Sequence, residues 1–463
     1  DRVSGPAAVA VSLDVQSANG ATTTIRSGDS WQVADREPAV TNEAGRDVVS
    51  FGAVAPHFWN ASRTSRRITE FDDYTQWKRA SRSDDGAASP TFALQPGFEI
   101  ERVHTAAEDE GSWVSLAIDS VGRLTIARED RGLLRFTLDV IGASVVKVET
   151  INDSLLECRG LLYAHDSLYA NANNSKAMYR LRDSTGDDQF DEVKLLREFP
   201  GTVGHGRNDL TLGPDGLIYS IHGDAVDVPT DNVTDRTSPF RENRRGQKVR
   251  EGYLIRTDAE GQSWELIAAG LRNPFGIDFN AAGDVFTYDA DAEFDMGAAW
   301  YRPTRIDQLV SGADFGWRGL TGRWPPYQLD RPDNALPSAD IGKGSPTAVK
   351  SGRTSSFPAP YRDAIFALDW AYGRILACHL IPRGAGYVCR SETFLKGRPL
   401  NVTDLEFGSD GSMYLITGGR KTESTLYRVR FTGDASSSTK SNVQPTPQQT
   451  ARNEFAAKQR ELR

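Results

Sequence analysis

The chain has 463 residues and is acidic, with 54 Lys and Arg against 63 Asp and Glu and a formal net charge of −9. That balance argues against a phosphate-binding face and so against a nucleic-acid partner, and no apolar run reaches the length of a membrane span. With 42 Gly, 22 Pro and only 3 Cys, the composition favours many short strands and turns over a disulfide framework.

Residues 1–88 read as a β-rich accessory module. AVAVSLDV alternates with period two, Asn19-Gly20 marks a turn, and TTTIRS follows as its partner strand. His57 stands beside Phe58 and Trp59, where a packed, hydrogen-bonded histidine is the simplest reading. The polar stretch KRASRSDDGAASP, 78–90, reads as a linker.

From about Phe92 one pattern recurs: apolar strand, tight turn, apolar strand. Six copies are visible, with turn positions at Gly122, Ser167, Gly216, Gly283, Gly373 and Gly411. One such hairpin cannot bury both faces, but four-stranded sheets packed radially can. The expected fold is therefore all-β, a six-bladed β-propeller over residues 89–432. Wide spacings predict long insertions at 225–250 and 292–365. Residues 433–463 read as a linker followed by the start of a helical segment. Cys378 and Cys389 flank a predicted hairpin turn and read as two small buried thiols.

The densest chemistry lies in GHGRNDLTLGPDGLIYSIHGD, 204–224. His205, Arg207 and Asn208 precede a strand, GPDG makes the turn, and Asp224 follows the second strand. Polar groups are thus gathered at one end of a small antiparallel sheet. His222 lies within a strand and reads as structural. The acidic run Asp289, Asp291, Glu293 and Asp295 offers the hard oxygens that Ca²⁺ prefers. RDSTGDDQFDEV, 182–193, lacks the sixth-position Gly and twelfth-position Glu of a calcium loop and reads as a surface turn. Trp300, Tyr301, Trp317, Trp324 and Tyr327 could stack on sugars, although propeller packing also uses such residues.

His205, LGPDG (212–216), IHGD (221–224) and GLRNPFGIDF (270–279) together resemble the soluble glucose and sorbosone dehydrogenases. These are six-bladed propellers that use pyrroloquinoline quinone (PQQ) and calcium. The resemblance spans about 92–432, and GLRNP with its following strand is its most specific part. Residues 289–319 and 396–420 further resemble large planctomycete-type proteins named membrane-bound dehydrogenases. There, such a propeller precedes helical repeats and a haem-binding CxxCH domain. This chain contains no CxxCH, so no haem is expected in it.

The resemblance implies roles at matching positions. His205 falls where the family has its general base, and Arg272 and Asn273 where it contacts the quinone. Asp291 and Ala292 fall near the family's backbone calcium ligands, with Asp289 and Asp295 as further candidates. Arg207, Asn208, Asp224, Trp300, Tyr301 and Trp317 are candidate substrate contacts. The family's late quinone-binding arginine stands here as Val402 or Thr403. Its lysine near ALDWAYGR is also missing, with Arg374 as a possible substitute. The resemblance implies oxidation of a sugar or related alcohol or aldehyde, a c-type cytochrome partner in a longer parent protein, and a periplasmic, extracellular or cell-envelope location. The alternative is a non-catalytic, carbohydrate-binding or scaffold propeller.

Overall fold

The computed structural model describes residues 90–319, 322, 324 and 332–433, together with 74–76, 78, helical positions between 450 and 458, and four short N-terminal strands. The chain divides into two compact units, Asp1–Ala61 with Ser441–Pro445, and Ser62–Lys440 with Thr446–Arg463. In the first, Ser12–Gln16 pairs antiparallel with Thr22–Arg26 around the predicted Asn19-Gly20 turn, and Gln32–Val33 pairs with Arg46–Asp47. His57 lies outside the described residues.

The second unit carries a six-bladed propeller. The blades begin with the strands Trp113–Ile118, Cys158–Ala164, Arg207–Leu212, Ile277–Phe279, Pro346–Ser351 and Val402–Phe407. Each of these touches the first strands of both neighbouring blades, so they form the inner wall of the ring. Successive strands of a blade then pair antiparallel outward. Both faces of each sheet need cover, and the neighbouring blades supply it. Tyr169, Leu210 and Tyr253 fill the seam between blades 2 and 3, Leu254, Ile277 and Phe279 that between 3 and 4, and Phe366, Leu405 and Met413 that between 5 and 6.

Five of the six recurring turns join the first and second strands of a blade. In blade 3 the Gly216 amide donates to the Gly213 carbonyl at 2.9 Å, and Gly216 takes φ +76°, a backbone state that glycine adopts without steric cost. The copy at Gly373 is out of phase. It joins the second and third strands of blade 5, Ile365–Asp369 and Arg374–Arg383. The first strand of that blade, Pro346–Ser351, lies inside the stretch read as an insertion. Its Pro and Lys hide the apolar alternation, which explains the reading. The 225–250 insertion links the second and third strands of blade 3 and adds the short strand Thr234–Asp235 to its outer edge.

The ring closes through its N-terminal residues. Phe98–Thr105 pairs with Thr425–Phe431 as the outer strand of blade 6, and Thr91–Leu94 adds a fifth strand to blade 5. Polar bonds also tie every inner junction. Ser115 Oγ donates to the Cys158 carbonyl at 2.6 Å and Asn171 Nδ2 to the Asn208 carbonyl at 2.8 Å. Asp209 accepts from the Ile277 amide at 3.3 Å and Asp278 from the Ser351 amide at 2.8 Å. Thr347 Oγ1 donates to the Val402 carbonyl at 3.0 Å, and Asp404 accepts from the Leu116 amide at 2.8 Å.

Asp278 also accepts from Thr211 Oγ1 and the Phe279 amide. Its removal strands three donors in a buried wall, at about 2–3 kcal/mol. Asp278→Ala is expected to lower the urea midpoint by a corresponding amount, and Asp278→Asn by less. An unchanged midpoint for Asp278→Ala would remove the junction bond from the account of stability.

Candidate active site

Residues just before the first strand of a blade and just after its second strand emerge on one face of the ring. His205 precedes the first strand of blade 3, and Asp224 follows its second. In that hairpin Arg207 is paired with His222, so continuing the register brings His205 opposite Asp224. Their side chains meet, with His205 Nδ1 2.6 Å from Asp224 Oδ1. Trp317 Nε1, which can only donate, bonds Asp224 Oδ2 at 2.6 Å. Asp224 is buried while the His205 side chain stays 32% exposed. The carboxylate therefore accepts the Nδ1 proton and leaves Nε2 as the basic nitrogen, without a partner among the described residues. No side chain fits between His205 and its neighbours at Gly223, where an added Cβ would lie 2.7 Å from His205 Cβ and 2.8 Å from Asn273 Oδ1.

The Arg272-Asn273 segment is positioned from below. The Asp289 carboxylate accepts both of their backbone amides, at 3.1 and 2.8 Å, and the Ala290 amide at 2.9 Å. Arg305 pairs with it at 3.2 Å, both side chains fully buried. The Arg272 carbonyl in turn accepts the Asp224 amide at 2.8 Å. The loops carrying His205 and Arg272 are thus locked together. The Arg272 guanidinium lies over the Trp317 ring, 5.5 Å from its centroid, and reaches Glu293 at 3.4 Å. Its Nε is buried without a hydrogen-bond partner.

Several expectations change here. Asp289 does not present a free carboxylate to a metal, because backbone amides and Arg305 consume it. The Ala292 carbonyl accepts the Asp295 amide at 2.8 Å. Asp291 bonds Tyr301 Oη at 2.7 Å, and Asp295 keeps one buried unpartnered oxygen. Among the described residues no group of three or more His, Cys, Asp or Glu side chains is arranged to hold a metal ion. The carboxylates Asp289, Asp291 and Asp295 are therefore not gathered into a side-chain cage. Arg207 is fully buried and donates to the carbonyls of Phe199, Thr202 and Asn173, which makes it a loop brace rather than a ligand contact. Asn208 is buried and donates to the Pro274 carbonyl at 2.8 Å and to Asn273 Oδ1 at 3.2 Å. Trp300 is exposed and Trp317 buried.

Arg374 pairs with Asp369 at 2.9 Å and stacks on Tyr372. Asp369 ends the second strand of blade 5, so this pair shares the face of His205. Sequence reading missed Asp224 as the histidine's partner, Trp317 as the partner of Asp224, and the Lys343 and Arg420 side chains on the same face. The hairpin register carried the signal for Asp224. No local signal marked the others, whose contacts join residues far apart in sequence.

Among known proteins, no family model and no curated protein matches this chain. Solved structures do. The Thermus thermophilus oxidoreductase described as a glucose dehydrogenase aligns with a TM-score of 0.54 at 18% identity, over 72% of this chain and 100% of that one. PQQ-bound aldose sugar dehydrogenase from Streptomyces coelicolor aligns at 0.50 and 14% identity, over 74% and 99%. The PQQ domain of Coprinopsis cinerea pyranose dehydrogenase aligns at 0.52 and 14%, over 74% and 98%. The chain has the six-bladed fold that these sugar dehydrogenases share.

Asp291 supplies a pH test. Burial raises its pKa to about 6, against the opposing bond from Tyr301 and with a smaller push from Glu293. The folded chain then keeps this proton at pH values where the unfolded chain releases it. The contribution favours folding below about pH 4 and is lost as pH rises through 6. In the presence of a chelator, Asp291→Asn is expected to raise the denaturation midpoint at pH 7.5 and to match the parent near pH 4. Equal midpoints at pH 7.5 would overturn the assignment.

Proposed function

We propose that this propeller is a quinone-dependent oxidoreductase acting on a sugar or a related alcohol or aldehyde. The observation that carries the reading is the His205–Asp224 pair, whose loop is bonded through the Asp224 amide to the Arg272 carbonyl. The similarity of fold to PQQ-bound sugar dehydrogenases supports it. The residues present also suit the cofactor. Arg272 has a buried, unpartnered Nε, Asn273 is half-buried beside it, and Arg374 lies on the same face. These three would hold an anionic quinone through its carboxylates. When bound, PQQ supplies a two-electron acceptor for hydride.

Each role of the protein follows from its geometry. His205 Nε2 accepts the hydroxyl proton while hydride leaves the adjacent carbon, so oxidation to the carbonyl is balanced. Asp224 stabilises the imidazolium that forms and keeps the ring in one orientation. Trp317 holds Asp224, and Asp289 holds the Arg272-Asn273 backbone, so both groups are set before a ligand arrives. Electrons leave to an acceptor outside the chain, for which a c-type cytochrome is proposed. A periplasmic, extracellular or cell-envelope location belongs to the same reading.

The test is reconstitution with PQQ and Ca²⁺, followed by dye-linked oxidation of an aldose panel. His205→Ala is expected to cut turnover by about two to four orders of magnitude with folding intact by circular dichroism. A His205→Ala protein as active as its parent would falsify the assignment of the base. Sugar binding without quinone binding or turnover would instead establish the non-catalytic carbohydrate-binding propeller.

A further inference from the structure

Tyr74, Thr75 and Gln76 belong to the stretch that reads in sequence as an accessory module, yet they lie on the propeller. Gln76 is fully buried. Its Nε2 donates to the carbonyls of Trp370 and Ala371 at 3.1 and 3.2 Å, and its Oε1 accepts the Leu400 amide at 2.7 Å. The side chain thereby bridges the turn of blade 5 and the connection into blade 6. The receiving surface is shaped for it, since a Cβ on Gly373 would lie 2.7 Å from Gln76 Cδ.

This anchor places Tyr74 among residues of the candidate site. Lys343 Nζ sits 3.9 Å from its ring centroid, and Tyr372 meets it edge-on at 5.1 Å. Tyr372 in turn carries the Arg374 guanidinium 4.7 Å from its ring centroid, and its amide donates to Asp369 at 3.3 Å. The Tyr74 ring therefore stands on the blade 5 side of the face that carries His205. The His205 side chain remains one-third exposed, so the segment leaves the base uncovered. Aromatic rings flanked by carboxylates suit a polyhydroxylated ring, whose C–H face stacks while its hydroxyls donate.

We propose that residues 74–76 form a strap, anchored by Gln76, that supplies Tyr74 as a wall of the substrate mouth and a determinant of sugar affinity. The assignment rests on the oxidoreductase reading for its ligand class. Gln76 is a positioning residue, acting through Tyr74.

With PQQ-loaded full chain and glucose, xylose and maltose as probes, Tyr74→Ala is expected to raise KM roughly five- to tenfold, as loss of an aromatic contact does, with kcat within about twofold. Tyr74→Phe is expected to stay near the parent, and Gln76→Ala to reproduce Tyr74→Ala. An active parent whose KM is unmoved by both alanine changes overturns the proposal and leaves the oxidoreductase reading intact. If the parent oxidises none of these sugars, hydrogen exchange and calorimetry decide. Protected amides at 74–76 that become labile in Gln76→Ala support the strap, and free exchange in the parent overturns it. Protection without binding of any of the three sugars overturns Tyr74 as a substrate contact.

Discussion

The ring of side-chain bonds onto the innermost strands, from each blade to the next, is the constraint on which the site depends. A propeller places equivalent positions of successive blades around one axis, but only if each blade keeps its height relative to the next. Apolar packing between sheets is nearly non-directional and tolerates sliding. A hydrogen bond from a side chain of one blade to the inner-strand backbone of the next does not. Six such junctions, from Ser115 to Asp404, set that height. Blades 3 and 4 are joined most heavily, because Asp209, Asn208 and the Asp224–Arg272 backbone bond all act there. That is also where His205 and Arg272 must meet.

The carboxylates used for this purpose bring negative charge into the centre of the ring. Lys350 answers it. Its Nζ is 2.6 Å from Glu406 Oε1. Burial works against the ammonium, but Glu406, Asp209, Asp404 and Asp278 outweigh it and hold its pKa well above the usual lysine value. Burial also lifts Asp209 to about 6, although Lys350 opposes the shift. A buried cation is tolerable when it is paired and the remaining acceptors are bonded. Here Asp209, Asp278 and Asp404 already bond backbone amides across the junctions, so one lysine serves several of them.

Much of the architecture was legible because turns are local. Gly122, Gly216, Gly283 and Gly411 mark hairpins whose apolar strands can be seen in ten to fifteen residues. The blade count followed from these together with the copies at Ser167 and Gly373. Phase was less secure, because a hairpin of second and third strands looks the same as one of first and second, and Gly373 marks the former. In the site, His205 and Arg272 were legible as polar groups on the approach to inner strands. Their supports were not. An aspartate at position 289 carries the same formal charge whether it faces a cation or two peptide N–H groups. Only the fold reveals that Arg272 and Asn273 turn back over it. Trp317, 93 residues from Asp224, could not be assigned to it by spacing at all.

Closure by the N-terminal strands also bears on the order of events during synthesis. Phe98–Thr105 leaves the ribosome before any blade exists, and its partner follows more than three hundred residues later, as the separation of 327 between Glu101 and Arg428 shows. Until then an eight-residue strand presents an unpaired edge, for which a neighbouring nascent chain is a competing partner. The entropic cost of so long a closure grows only logarithmically, but the wait slows completion. Once made, the join is double, because Thr91–Leu94 and Phe98–Thr105 lie on adjacent blades and straddle one seam. Separating the last blade from the first requires both strands to be stripped, so the junction that forms last is also latched twice.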